Sequence, residues 1–429
     1  IFVFWIRLLV TLPSGTSPIG LVFATIALFF GLFFFIYSMK YYLSALIVLR
    51  LAQTGGRGEK SRVNPLLVNL AKLELKEGEK PFVSIHVAVY NEKNVIERLL
   101  RACTSQEWYQ SQSGESEGVD LIEPESQSRR PERSRRANYE LVIVDDSTDE
   151  TTEMAKQTLI DNGWKLSFSN VIARNGDPSL RSGQAPQSET EIATLTSLAR
   201  NDSEQEGANQ EVFVFTKPDA PTVKLIHRSS RFGFKGGALY KALLNTDARA
   251  AYIMVLDADF VPYPDTIEQF VKIFQVLNTN VNESKIAAVQ GYQWHVLNKS
   301  QTWVTRGVRT EYAGSYVIER SGTEIYGGLK QIAGAVYAIR ADVLRQFGWG
   351  TSITEDFELT LRLYAQGYKV AFTPYIQAPA EAVSTVRRLI RQRMRWAEGA
   401  SFNIKVMFSR MLKSPNLTPA EKFEFLYLS

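Results

Sequence analysis

Residues Ile19 to Tyr37 read IGLVFATIALFFGLFFFIY, about 19 residues without a charge. At about 1.5 Å rise per residue, a helix of this length crosses the ~30 Å hydrocarbon core of a bilayer. The alternatives are a signal peptide and a buried core helix. A signal peptide has an apolar core of about 7–15 residues and a small-residue cleavage site, and neither fits here. Lys40, Arg50, Arg57, Lys60 and Arg62 follow the run, with Glu59 the only acid before Glu74. Cytoplasmic flanks are enriched in Lys and Arg, so everything after the span is expected in the cytosol. The sequence therefore predicts an integral membrane protein of a plasma or inner membrane. A second apolar stretch, Ile1 to Leu12, lacks an initiator Met, and a first helix clipped from a longer chain is expected there.

Composition excludes several classes. The 429 residues hold one cysteine, Cys103, and three scattered histidines, His86, His227 and His295. A disulfide scaffold is ruled out, and a zinc centre built from Cys or His is not expected. A formal net charge of +4 is too mild to argue for nucleic acid, so no nucleic-acid partner is expected. At 45% hydrophobic, the chain is not globally disordered.

From Pro81 the pattern changes to short apolar runs, each ending in a polar cluster. Phe82–Val89 (FVSIHVAV) runs into Tyr90-Asn91-Glu92 and a helix through Leu99-Leu100. Tyr139–Val144 (YELVIV) ends at Asp145-Asp146-Ser147, ahead of a helix near Glu150–Leu159. Ala251–Leu256 (AYIMVL) ends at Asp257-Ala258-Asp259. Near-continuous apolar strands alternating with helices predict an α/β fold with a mostly parallel sheet covered on both faces. Ligands of such sheets sit beyond the carboxyl ends of the strands, and here those ends carry the acids.

Two segments interrupt the pattern. Residues 111–136 and 175–210 are rich in Ser, Gln, Glu, Gly, Pro and Arg. Most of each cannot bury enough apolar surface to offset its ordering entropy, so both read as polar insertions. The arginines at 129, 130, 133, 135 and 136 lack interleaved aromatics and include Glu132, as a solvated loop does.

Each remaining motif has a functional and a structural reading. Asp257-x-Asp259 on a turn suits a hard divalent cation, although two acids in a turn also cap helices. Asp145-Asp146 would accept hydrogen bonds from a ribose or base edge, or leave Ser147, Thr148 and Asp149 to cap the next helix. Arg231–Leu239 (RFGFKGGAL) sets Lys235 and two glycines ahead of a helix, where backbone amides can approach an anion. Thr354-Glu355-Asp356 opens an amphipathic helix, FELTLRLYAQGY, that ends around Gly367. Its acids complement the helix dipole, with Ser352-x-x-Glu355 as a capping box, or Asp356 is a general base. Gln392-Arg393-Met394-Arg395-Trp396 lies in a basic, amphipathic stretch suited to a membrane surface. A guanidinium there would pair with a departing diphosphate, and the Trp ring would stack on a sugar.

Taken together and in order, these motifs resemble family 2 glycosyltransferases of the cellulose synthase and cellulose-synthase-like superfamily, with its D, DxD, D, QxxRW pattern. VAVYNE (87–92), VDDSTD (144–149), FKGGAL (234–239), LDADFVPYPD (256–265), QIAGAVYAIR (331–340), TED (354–356) and QRMRW (392–396) hold the expected order from about Pro81 to Met411. The resemblance implies a GT-A, Rossmann-like catalytic domain that binds a nucleotide sugar. It implies that Asp145 or Asp146 contacts the nucleoside, that Tyr90 and Glu92 line its pocket, and that Lys235 lies near the diphosphate. Asp257 and Asp259 would bind the diphosphate through Mg²⁺ or Mn²⁺, with Asp259 the direct ligand. Asp356 would be the base of an inverting displacement, Arg395 would stabilise the leaving group, and Gln392 and Trp396 would bind substrate.

Two departures bear on specificity. The spacing from VDDSTD to FKGGAL is stretched by the second insertion. The acceptor-side motif, Ile332-Ala333-Gly334-Ala335, lacks the cysteine of cellulose synthases. VDDSTD and DADFVPYPD look closer to the glucomannan and mannan synthase branch, and the donor stays open between UDP-glucose and GDP-mannose. The expected organisation is a transmembrane region (1–50), a linker (51–80), the GT-A domain (81–380), the QxxRW interface helix (381–413) and a lead into further membrane segments (414–429). The expected partners are a nucleotide-sugar donor, a glycan or lipid-linked acceptor and membrane lipids. The leading reading is processive addition to a β-glycan; a single transfer to lipid and a catalytically silent sugar-nucleotide scaffold are the alternatives.

Overall fold

The computed structural model describes residues 17–54, 66, 68, 70–75, 80–111, 135–172, 210–278 and 285–428. The stretch Ile1 to Leu12, much of 51–80 and nearly all of both polar insertions lie outside the described residues.

The strands are β1 (Phe82–Val89), β2 (Tyr109–Ser111), β3 (Arg135–Ala137), β4 (Tyr139–Asp145), β5 (Lys165–Ile172), β6 (Gln210–Thr216), β7 (Thr222–Arg228), β8 (Ala250–Asp257), β9 (Ile286–His295), β10 (Tyr337–Arg340) and β11 (Lys369–Ala380). The helices are α1 (Pro18–Thr54), α2 (Ile96–Thr104), α3 (Thr151–Asp161), α4 (Phe234–Leu244), α5 (Thr266–Leu277), α6 (Trp303–Ala313), α7 (Ser321–Tyr326), α8 (Ala341–Phe347), α9 (Glu355–Ala365), α10 (Val386–Lys413) and α11 (Pro419–Leu428). A π-helical turn, Gly314–Arg320, joins α6 to α7.

The main sheet has 9 strands in the order β11-β9-β10-β8-β1-β4-β7-β6-β5. Its centre is parallel: β1 pairs with β4 and β8, and β4 with β7. Short β10 runs antiparallel between β8 and β9, and β6 antiparallel between β5 and β7. The expected α/β layering forms because the central strands β1, β4 and β8 are largely apolar on both faces and must be covered twice. On one face Leu99, Leu100, Leu159, Phe270 and Phe274 of α2, α3 and α5 close over Ile85, Leu141 and Leu256. On the other, Leu239, Leu344, Leu361 and Leu363 of α4, α8 and α9 cover Ile253, Val255 and Ile339.

The two insertions leave from paired strands. Ser111 faces Arg135 in a two-stranded ladder of β2 and β3. Ile172 faces Gln210 across β5 and β6 at the far edge of the main sheet. A hairpin connection at an edge absorbs extra length without moving the strands on either side, which accounts for the stretched spacing between VDDSTD and FKGGAL.

Helix α1 is 37 residues long. Its Ile19–Leu51 portion has mean hydropathy 2.7, with 6% of its most apolar window buried. A core helix of this domain would be mostly buried, and this one is not. Its lower part docks on the domain: Lys40 Nζ donates to Glu319 at 3.0 Å and to Glu424 of α11 at 2.5 Å. Ser44 packs so closely on Gly322 of α7 that a Cβ there would sit 2.6 Å from the Ser44 Cβ.

Candidate active site

Parallel pairing puts the ends of β1, β4 and β8 side by side. Val89 faces Asp145, and Ala88 faces Asp257, in strands spaced about 4.8 Å apart. Tyr90, Asp145 and Asp257 therefore emerge on one edge of the sheet. The turn after β1 is held in place by Asn91, a non-glycine residue at φ 57°. Its amide donates to Ser147 Oγ at 2.8 Å, and its side-chain oxygen accepts from the Thr148 amide at 2.9 Å. This cross-link ties the YNE turn to the DDS turn. Tyr90 is exposed and its ring is covered by the Arg231 guanidinium, 3.4 Å from the ring centroid.

The two neighbouring aspartates differ sharply. Asp145 is buried and accepts from the Ser147 amide at 2.9 Å and the Thr152 hydroxyl at 2.5 Å, with His227 Nδ1 3.6 Å away. Burial alone would raise its pKa, but nearby His227 and the hydrogen bonds from Ser147 and Thr152 outweigh burial and hold it below the usual value. Asp146 is gripped bidentately by Arg228, with Nε to Oδ1 at 2.6 Å and Nη2 to Oδ2 at 2.5 Å. Both partners are buried, and burial lifts Asp146 against the pull of the guanidinium. Asp146 thus serves as a strut between β4 and the loop after β7, because Arg228 also donates to the Phe232 carbonyl at 3.2 Å.

Lys235, Asp257 and Asp356 converge on Gly334. Lys235 Nζ donates to Asp257 Oδ1, and to the Gly334 carbonyl at 2.6 Å, with Glu355 Oε1 3.6 Å away. The Gly334 amide donates to Asp356 Oδ2 at 2.5 Å, and the Phe357 amide donates to its Oδ1 at 2.7 Å. A Cβ on Gly334 would lie 3.8 Å from both Asp257 Oδ2 and Asp356 Oδ2. Gly334 itself is left-handed at φ 61°, and Val336 two residues on is forced to φ 57°. A β-branched residue in that region is strained, and the turn that threads between the carboxylates bears the cost.

Electrostatics follow from this crowding. Burial would lower Lys235, but Asp257 and Glu355 outweigh it and keep the ammonium charged. Burial, then Asp257 and Glu92, push Asp259 up to about 8. Burial, then Asp257 and Glu381, lift Glu92 to about 7. Burial also raises Glu355, to about 8, and Asp356, with Lys235 opposing in both cases. Crowded half-buried acids of this kind are the chemistry that a divalent cation and an anionic ligand complete. Among the described residues no three of His, Cys, Asp and Glu form a complete protein ligand set, so Asp257 and Asp259 would need further oxygens from a ligand.

The two glycines of FKGGAL serve close packing. A Cβ on Gly236 would run into the Gly350 carbonyl, and one on Gly237 into the Phe232 carbonyl. The Gly237 amide is already donated to Gly233 at 2.8 Å. These glycines permit close packing of α4, which in turn aims Lys235. The Ser352-x-x-Glu355 capping box does not form either. Thr354 caps the start of α9 through its carbonyl, while Ser352 Oγ is taken by Asn403 Oδ1 at 3.0 Å.

The QRMRW segment lies within α10, whose buried stripe is Gly399, Asn403, Met407 and Met411. Gln392, Arg395 and Trp396 fall three to seven residues before Gly399 and so continue that stripe upstream. Gln392 and Trp396 are half-buried and Arg395 is exposed. Arg393 stacks its guanidinium 4.5 Å from the Trp396 ring centroid and pairs with Glu311 of α6 at 2.7 Å. Val386, Ile390, Met394, Phe402, Val406 and Phe408 are exposed large apolar side chains of the same helix. Arg228, Gly399 and Asn403 were not singled out from sequence, whereas Gly334 entered only within the acceptor-side motif and His227 only as a scattered histidine. The discernible signals were Gly399, an isolated helix glycine, and Asn403, a polar residue on an apolar stripe.

A family model described as Glycosyl transferase family group 2 matches residues 252–423. The chain is 28% identical over 205 residues to Glucomannan 4-beta-mannosyltransferase 7 of Arabidopsis thaliana, covering 47% of this chain and 35% of that protein. It is 27% identical over 205 residues to Glucomannan 4-beta-mannosyltransferase 1 of Oryza sativa subsp. japonica, covering 47% and 38%. The match therefore spans little more than a third of these relatives' length. A mannosyltransferase from Pyrobaculum calidifontis, solved with GDP-mannose and Mn²⁺, shows 18% identity and a TM-score of 0.49, covering 91% of this chain and 77% of that one.

Proposed function

We propose that this chain, which carries a family 2 glycosyltransferase domain of the cellulose-synthase-like type, moves a hexose from a nucleoside-diphosphate sugar onto a growing β-glycan at the cytosolic face of a membrane. The observation that carries the reading is the placement of Asp257 and Asp356 on either side of Gly334, with Lys235 bound to both Asp257 and the Gly334 carbonyl. One site thereby offers a cationic group and a carboxylate for a diphosphate beside a second carboxylate for an incoming hydroxyl.

In this reading the acceptor hydroxyl oxygen attacks the anomeric carbon as Asp356 takes its proton. The bond from that carbon to the diphosphate oxygen breaks, and the nucleoside diphosphate leaves with the electron pair. One displacement inverts the anomeric centre. The raised Asp356 pKa supports the role, since a base works best when its pKa approaches the operating pH. Asp257 and Asp259 would hold Mg²⁺ or Mn²⁺, which supplies charge to the diphosphate. Arg395 would assist the leaving group, and Trp396, held by Arg393, would stack on the acceptor sugar. Tyr90, Asp145 and Glu92 would border the nucleoside, with Asp146 supporting them through Arg228. The relatives' mannosyltransferase names favour a mannosyl donor over a glucosyl one. Membrane attachment is supported by the exposed apolar length of α1 and the apolar outer side of α10.

Membranes carrying the full-length protein, given a panel of radiolabelled nucleotide sugars, test this directly. Label is expected in an alkali-insoluble product from GDP-mannose or UDP-glucose, released by a β-mannanase or β-glucanase. A single sugar on lipid without oligomers would contradict chain extension, and no transfer from any donor would contradict the whole reading.

A further inference from the structure

We propose that Gly399 and Asn403 are positioning residues that set the register of α10 against the turn bearing Asp356. The inference rests on the reading of Asp356 as base and of Arg395 and Trp396 as substrate-binding groups. Asn403 is 2% exposed and spends its whole side chain on the segment before Asp356. Its Nδ2 donates to the Thr354 carbonyl at 3.2 Å and to Thr354 Oγ1 at 2.9 Å, and its Oδ1 accepts from Ser352 Oγ at 3.0 Å. Ser352 Oγ in turn accepts from the Thr354 amide at 3.3 Å. The Thr354 carbonyl also accepts the Glu358 amide at 3.0 Å, so the residue that Asn403 grips is the one from which α9 starts.

One turn upstream, Gly399 lets Thr354 lie against the bare backbone of α10. A Cβ there would sit 2.7 Å from Thr354 Oγ1, 2.8 Å from its Cγ2 and 3.1 Å from its amide nitrogen. Continuing up the same stripe, Arg395 and Trp396 come four and three residues earlier. A single stiff helix therefore carries the leaving-group and acceptor side chains at one point and clasps the base's own turn at another. A methyl group wedged at 399 pushes these two parts of the site apart by a few tenths of an ångström or more. Misplacement of about 1 Å in a reacting geometry costs up to about 100-fold in rate.

The test uses the full-length protein in membranes, with kcat and donor KM for the sugar nucleotide that proves active, and with Mn²⁺-dependent nucleoside-diphosphate binding as a separate readout. Gly399→Ala and Asn403→Ala are expected to lower kcat about tenfold or more, with donor KM and nucleotide binding within about twofold of the parent. Thr354→Ala removes both side-chain atoms that a Cβ at 399 would strike, so the double variant Gly399→Ala with Thr354→Ala should recover most of the rate lost by Gly399→Ala. Unchanged kcat in both single variants overturns the proposal. So does joint loss of kcat and nucleotide binding without recovery in the double variant, which marks a merely structural role. Asp356→Asn is measured in parallel. Full transfer by that variant would reject the base assignment, whereas the Gly399/Thr354 recovery reports on the register alone.

Discussion

The two halves of the candidate site are built differently. At the strand ends almost every polar group is already engaged: Asp145 by Ser147 and Thr152, Asp146 by Arg228, Lys235 by Asp257, and Asp356 by Gly334. On α10, Arg395 is exposed, Trp396 is steadied by the stacked Arg393, and the outer side is apolar. A nucleotide is a small ligand of fixed shape, and a preorganised cradle suits it. In the proposed function a growing glycan would be met by one amphipathic helix, clasped at Thr354 and rooted in the core by Met407 and Met411.

Four substitutions probe this contrast. The largest effect is expected from Asp356→Asn, with kcat down about 10²–10⁴-fold and nucleotide binding retained; retained transfer would break the assignment of base to the rigid half. Arg228→Met leaves the Asp146 carboxylate buried and unpaired, at a cost of about 3–5 kcal/mol in stability by denaturant titration. A cost near zero would show that the strut is dispensable. Trp396→Ala should raise the acceptor KM about tenfold and leave the donor KM unchanged, as loss of about 1.4 kcal/mol of stacking predicts. A donor effect instead would blur the division between halves.

The smallest effect concerns His227. The Asp145 carboxylate 3.6 Å from its Nδ1 outweighs burial and raises its pKa above 6.5. The stabilisation is complete below that unfolded-state value and is lost as pH rises through the folded one. His227→Gln should therefore cost up to about 1 kcal/mol at pH 6 and less at pH 9, measured by melting at both pH values. A larger cost at the higher pH would reverse the assigned charge on the pair.

How far the sequence reaches depends on range. The carboxyl ends of β1, β4 and β8 were legible because a strand buried on both faces is a near-continuous apolar run, and the polar cluster that follows marks its end. Edge strand β5 and its neighbour β6 carry weaker patterns beside a long polar insertion. In β11, Pro374 falls at the register shift between Phe372 and Gln377, which obscures the strand. Asp145 and Asp146 were indistinguishable in sequence because only the fold reveals Arg228 facing one of them. The Ser352-x-x-Glu355 capping box was a sound local expectation overruled by a tertiary partner, Asn403, 51 residues from Ser352.

The most direct measurement is label transfer from GDP-[¹⁴C]mannose and UDP-[¹⁴C]glucose by membranes holding the full-length protein, beside Asp257→Asn and Asp356→Asn variants, with and without a chelator. The account predicts polymeric product from one donor in the parent protein, lost on chelation and restored by Mn²⁺ or Mg²⁺. It further predicts losses of at least about 100-fold in both variants. Undiminished product in the chelator or in the variants would contradict it.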